Sequence, residues 1–281
     1  SALNTSNVTS MSYMFYGSGV TNLDLRGWNV DKVTNFSYMF YNDTALSTLN
    51  LSNWGSNRTA PTVNMSFMFA NTTALTTTTL ILTNFKTTNV TNMSYMFFST
   101  RLTELDLSDW DVTKVTNFSY MFYNATKLET LNLSGWGEYR AATDVTMQGM
   151  FYGTSALTSL NLTNFTTNNV TNMLYMFRLT GLTSLDLSGW DVTKVTTFAS
   201  MFQETALKTL NLSGWNTQSA ASVGSMFTSN TNLWKITLGQ NIKFPGAPTF
   251  TSAPSIGTTI TDDGQNYKTT SASWQIVGNG T

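Results

Sequence analysis

The chain has 281 residues, of which 41% are hydrophobic and 10% charged, where a charged share of about 25% is usual. It holds no cysteine and no histidine, which excludes a zinc site of the common kind, a thiolate nucleophile, an imidazole base and a disulfide framework. With 14 basic against 15 acidic residues there is no basic stripe for a phosphate backbone, so nucleic acid is not an expected partner.

Residues 1–7 contain Ala2 and Leu3 and otherwise polar side chains. They read as a lead-in too short and too polar to cover an apolar core, so the natural chain is expected to continue N-terminally. From Val8 the dipeptide Met-Phe recurs, first at Met14-Phe15 and last at Met226-Phe227, with spacings of 25, 29, 28, 25, 29, 26, 25 and 25 residues. These nine units, running to Leu238, override the two-domain expectation that length alone would give. Val90, Met93, Met96, Phe97, Leu102, Leu105, Leu107 and Trp110 show the template. Its first half has apolar residues at i, i+3, i+6 and i+7, the spacing of one helical face, and its second half alternates as a short half-buried strand does. Each unit is thus predicted to be a short helix or helical turn, a bend, a three- to four-residue strand and a return loop. One unit buries too few apolar side chains to offset the entropy of ordering its backbone, so the units must stack on one another.

A longer period overlies the short one. Units one, four and seven carry Leu-Asp-Leu, units two, five and eight carry Leu-Asn-Leu, and the longest loops are Gly55–Thr62 and Gly137–Asp144. The array therefore reads as a triplicated three-unit block. Residues 239–281 leave the repeat and hold Pro245, Pro248 and Pro254; Thr258–Ile260 and Tyr267–Thr270 are predicted to form a hairpin about Asp262-Asp263-Gly264-Gln265 over the last rung. No stretch approaches 18 consecutive apolar residues and the first thirty lack a signal-peptide pattern, so no membrane insertion is expected of this segment.

The LxxLxL strand with a short helical half resembles a leucine-rich repeat, and the strings VTNMSYMF and LDLSGWDVTKV resemble BspA-like leucine-rich-repeat surface proteins of bacteria. The ending Trp274–Thr281 resembles the segment that follows such arrays in wall-anchored proteins of Gram-positive commensals. The resemblance implies an α/β fold: a right-handed solenoid of nine 25–30-residue repeats over 8–238, with a parallel sheet on one face and short helices on the other. It implies an extracellular location at a bacterial wall and adhesion to host matrix protein, mucin or polysaccharide. One departure is clear. Where a leucine-rich repeat has asparagine, this chain has Trp28, Trp54, Phe85, Trp110, Trp136, Phe165, Trp190 and Trp215. These are expected in the core, with indole N–H groups serving backbone carbonyls at the bend.

Two columns are candidate ligand-binding surfaces. The residue between the paired leucines is Asp24, Asn50, Asp106, Asn132, Asp186 or Asn211 in the polar units, and in a leucine-rich repeat it projects from the concave sheet. The carboxylates recur every third rung, about 14 Å apart at strand spacing, beyond the roughly 5–9.5 Å of a glycosidase pair; no enzyme is expected. The residue before Met-Phe is Tyr13, Tyr38, Tyr95, Tyr120 or Tyr175 in five units, and helical phase points it to solvent, where in-register rings could stack on sugars or anchor a protein. A flanking column is Tyr16, Tyr41, Phe98, Tyr123 and Tyr152, ending at Arg178. Asp106, Asp109 and Asp111 raise calcium, but no glutamate completes a cage, so neither a metal nor a cofactor is expected. The 11 Asp and four Glu would give a net charge of about +6 at pH 4, so adhesion is expected to strengthen in acid. The alternative function is a structural stalk or self-association element.

Overall fold

The computed structural model describes residues 3–137, 142–246, 248–262, 264–271 and 273–274. The chain winds into a β-solenoid of about eight turns, each running from one Met-Phe to the next. Helices are absent among the described residues, which overturns the α/β architecture with helices on one face.

The reason lies in the backbone around Met-Phe. The residue before Met has a positive φ in every unit, for example 56° at Tyr95 and 58° at Gly149, and the residue four positions later has one too, as at Asn42, Ser99 and Gly153. These left-handed residues interrupt any α-helical run. The N–H groups of Met96, Phe98 and Thr100 donate to the carbonyls three residues back, at 3.3, 3.1 and 3.4 Å. Those of Met93, Tyr95, Phe97 and Ser99 instead donate to Asn117, Ser119, Met121 and Tyr123 of the next rung, at 2.9, 3.0, 2.8 and 2.9 Å. The segment is a chain of tight turns that also serves as a cross-rung ladder, so its polar backbone is satisfied without a helix.

The LxL segments form the predicted parallel strands, grouped by block. Asn22–Asp24 pairs with Thr48–Asn50 and that with Leu80–Ile81; Glu104–Asp106, Thr130–Asn132 and Ser159–Asn161 follow, then Ser184–Asp186, Thr209–Leu212 and Lys235–Leu238. A second parallel ladder, unforeseen in the sequence, precedes the turns and joins Ser10, Asn35, Asn64, Asn92, Asn117, Thr146, Asn172, Thr197 and Ser222 through strands and single bridges. Each asparagine of this ladder uses Oδ1 to accept the N–H two residues on, at 2.9 Å for Asn35, Asn92 and Asn117 and 3.0 Å for Asn64 and Asn172.

Between the ladders the core is close-packed methionine, leucine and phenylalanine. Phe15, Phe40, Phe69, Phe97, Phe122, Phe151, Phe177, Phe202, Phe227 and Phe250 stack in one column with ring centroids 4.9–5.9 Å apart. Trp54, Trp136 and Trp215 are buried and their indoles donate to the carbonyls of Leu25, Leu107 and Leu187 at 2.9, 2.8 and 2.9 Å. Trp110 and Trp190 are buried without such a bond among the described residues, each instead lying 5.6 and 5.5 Å from Phe85 and Phe165. Trp28 is only half-buried, because no described rung covers the first one.

Beyond the array Phe250 pairs with Phe227 and extends the ring column, and Trp274 lies 5.5 Å from Phe250. The expected hairpin joins Thr259–Asp262 to Gln265–Lys268 in antiparallel register, one or two residues from the predicted limits. Asp263 and residues 275–281 of the ending compared above lie outside the described residues, as do 138–141 of the second long loop.

Candidate functional site

The tyrosine column sits at the left-handed corner of each turn. A non-glycine residue there costs of the order of 1–2 kcal/mol, and stacking along the column offsets it. Tyr13, Tyr38, Phe67, Tyr95 and Tyr120 lie face to face with centroids 4.8, 4.5, 4.5 and 4.9 Å apart. The flanking column runs beside it, Tyr16 on Tyr41 at 5.4 Å and Phe98 on Tyr123 at 5.3 Å. Edge contacts tie the two together, as Tyr38 to Tyr41 at 5.5 Å and Tyr95 to Phe98 at 6.0 Å. The result is a continuous aromatic band along five rungs.

The rings do not point freely into solvent as helical phase predicts. Tyr13 is 55% exposed, but Tyr38, Tyr95, Tyr120 and Tyr175 are half-buried, because neighbouring rungs cover the ring faces. Burial, then the neighbouring tyrosines, raises the phenols of Tyr38 and Tyr95 above their ordinary range; burial also raises Tyr120, opposed by the hydrogen bond from Gln148 Nε2 at 2.9 Å. The stack breaks at Gly149, where a side chain would fall on the Tyr120 ring. Tyr175 rejoins the band through Tyr152, 6.1 Å away, and the Arg178 guanidinium caps both rings at 5.8 and 5.2 Å while pairing with Glu204 at 2.8 Å.

Asp24, Asn50, Asp106, Asn132, Asp186 and Asn211 do lie in one register, Asp24 opposite Asn50, Asp106 opposite Asn132 and Asp186 opposite Asn211. One oxygen of each is already engaged. Each Oδ1 accepts the N–H two residues on, from Arg26 at 3.4 Å, Ser52 at 3.0 Å, Ser108 at 3.0 Å, Ser134 at 3.1 Å, Ser188 at 2.9 Å and Ser213 at 3.1 Å. This Asx turn ends the strand. The donors at Ser108 and Ser188, side chain before backbone, hold the Asp106 and Asp186 carboxyls below the usual carboxylate range, and the amides of Asn132 and Asn211 add to it. Asp111 likewise accepts from Thr113 at 3.0 and 2.6 Å, and no group of three or more acidic residues that could hold a metal occurs among the described residues.

The long loop after Trp54 turns inward. Arg58 lies 5.7 Å over the Phe36 ring and donates to the Lys86 carbonyl at 3.2 Å, and burial lowers its pKa to about 10. It packs the block and does not reach out for a ligand.

Sequence reasoning missed one feature. Beside the last sheet lies an open polar cleft of about 500 Å³, lined by Asp186, Lys208, Thr209, Asn211 and Lys235 among others, with Thr261 of the hairpin at its edge. The available signal was a departure from the repeat: Lys208 stands where the earlier blocks have Ser47 and Glu129, and Lys235 pairs with Thr209 where the corresponding third units have Thr79 and Ser159.

Three overlapping segments, 1–77, 50–146 and 140–238, match a family model described as "Mycoplasma protein of unknown function, DUF285". No curated protein and no solved structure matches the chain. Together the three matched segments span the whole array.

Proposed function

This chain belongs to the DUF285 family, and we propose that it is a non-enzymatic adhesin of the BspA-like kind at a bacterial cell surface. Its ligand is a host matrix protein, mucin or polysaccharide, held by the aromatic band. The observation that carries this reading is the cost of the tyrosines. Gly149, Ser200 and Ser225 occupy the same left-handed corner and close their rungs without a ring, so the turn itself does not require one. Placing tyrosine there makes a stiff row of ring edges and hydroxyls, a surface of low conformational entropy suited to contact. Because the ring faces are used between rungs, the contact is by hydroxyl and edge, not by laying a sugar on a ring.

Face-to-face stacking at 4.5–4.9 Å also favours a second reading, a stalk stiffened by its own rings. The triple substitution Tyr38→Phe, Tyr95→Phe and Tyr120→Phe separates the two, since it keeps the stack and removes the hydroxyls. On the adhesin reading, binding to immobilised mucin or matrix protein falls at least tenfold while stability falls by no more than the roughly 0.5–1.5 kcal/mol of the one hydrogen bond given up, from Gln148 to the Tyr120 hydroxyl. Unchanged binding, or no binding by the parent, favours the stalk. Acid strengthening of adhesion belongs to the same proposal, but Asp106 and Asp186 keep their charge to lower pH than free aspartate. The gain in positive charge near pH 4 is therefore smaller than ordinary carboxyl titration gives.

A further inference from the structure

We propose that the cleft between the last three-stranded sheet and the C-terminal hairpin binds an acidic saccharide unit. The site lies apart from the aromatic band and does not depend on it.

The cleft holds about 500 Å³, within the roughly 300–1,000 Å³ typical of small-ligand sites and ample for one or two sugar rings. Its floor is sheet, Thr209 and Asn211 from one strand and Asp186 from the neighbouring strand, and Thr261 of the hairpin stands at the far edge. Hydroxyls and an amide dominate this lining. An apolar ligand would strip water from them and return nothing, whereas a polyhydroxylated one replaces each lost hydrogen bond.

Charge then narrows the class. Lys208 and Lys235 bring two ammonium groups, both exposed and neither in an ion pair among the described residues. Lys235 Nζ is 5.9 Å from the Trp234 ring centroid. Among the described lining residues one carboxylate stands against them, Asp186, with Oδ1 already accepting from Ser188 at 2.9 Å. The described lining thus carries two ammonium groups against one carboxylate. The fold does not ask for these lysines, since Ser, Thr or Glu serves at the matching positions of the earlier blocks, and those blocks have no hairpin beside them. The two departures from the repeat and the one added element coincide at one place. A hydroxyl-rich pocket with a surplus of ammonium matches a sugar that carries a carboxylate or sulfate.

The test uses calorimetric titration of the full 281-residue chain with trigalacturonate, sulfated maltotriose and neutral maltotriose. We expect at least one acidic probe to bind tenfold or more tightly than maltotriose, with affinity falling between low and physiological salt. The preference between the two acidic probes assigns the anion as carboxylate or sulfate. Lys208→Gln with Lys235→Gln should weaken that binding at least tenfold with an unchanged melting temperature. Thr261→Trp, which fills the cleft without altering charge, should weaken it as well. The Tyr38→Phe, Tyr95→Phe, Tyr120→Phe protein should bind the acidic probe as the parent does, so that failure of the band and failure of the cleft are told apart. Absence of binding at millimolar probe, equal affinity for acidic and neutral probes, or full affinity in either cleft variant would overturn the proposal.

Discussion

At Gly149 the demands on a single residue are plainest. Its φ of 58° is one that L side chains adopt at a cost, and the space where a Cβ would stand is occupied by the Tyr120 ring. Gly149→Ala should therefore lower stability by about 2–3 kcal/mol, from left-handed strain together with displacement of the ring. Ser200→Gly, at the matching corner with a φ of 52°, should be near neutral, as relief of strain is offset by extra freedom in the unfolded chain. Denaturant midpoints of the two variants check the pair. The tryptophans allow a second comparison. Trp136→Phe removes the indole bond to the Leu107 carbonyl, which keeps the Trp110 N–H at 3.0 Å, and should cost about 0.5–1.5 kcal/mol more than Trp110→Phe, which breaks no such bond. Equal losses would mean that the indole matters only by its volume. The capping aspartates carry a pH dependence. Asp106 and Asp186 have depressed pKa values in the folded chain, through hydrogen bonds that favour the ionised form. Their contribution to stability is complete above the unfolded aspartate pKa of about 3.9 and is lost as pH falls through the lower folded value. The melting temperature should accordingly drop as pH is lowered below about 4. In the Asp106→Asn, Asp186→Asn protein, which keeps the accepting oxygen as Asn132 and Asn211 do, this part of the slope should vanish. An identical acid slope in the variant would assign it to other carboxyls.

Among the elements, the strands were legible and the turns were not. Leu105-Asp106-Leu107 alternates, and it pairs as a parallel strand in the register that the paired leucines give. Met93, Met96 and Phe97 have a spacing that a helix and a ladder of three-residue turns share, so periodicity could not separate them. The distinguishing sign was present in the residues at the second corner: Gly17, Asn42, Asn71, Asn124 and Gly153 are types that tolerate positive φ. The aromatic column was found correctly as a column, but its orientation followed from the helix and changed with it. The sheet-face carboxylates were placed in register, yet their work as Asx caps is visible only once Ser108 and Ser188 are seen to donate to them. The cleft was out of reach, because it is made by two segments far apart in the chain whose approach no local pattern encodes.

For the whole molecule, the rungs form one cooperative stack through the phenylalanine column and two parallel ladders, so a defect is felt by its neighbours. Phe122→Ala, in the middle of the column and fully buried, should cost about 3–5 kcal/mol, whereas the same change at half-buried Phe15 in the first rung should cost markedly less; thermal unfolding of both variants measures the difference. The aromatic band, the tryptophan bonds and the inward Arg58 all depend on one arrangement, in which the Tyr-Met-Phe turn donates its alternate N–H groups to the next rung. That arrangement is open to direct observation by scalar coupling across hydrogen bonds in a deuterated, ¹³C,¹⁵N-labelled sample. The solenoid predicts a coupling from the Phe97 amide nitrogen to the Met121 carbonyl carbon, across the 2.8 Å bond; a coupling from Phe97 to the Met93 carbonyl, four residues back, would mean a helix and contradict the solenoid.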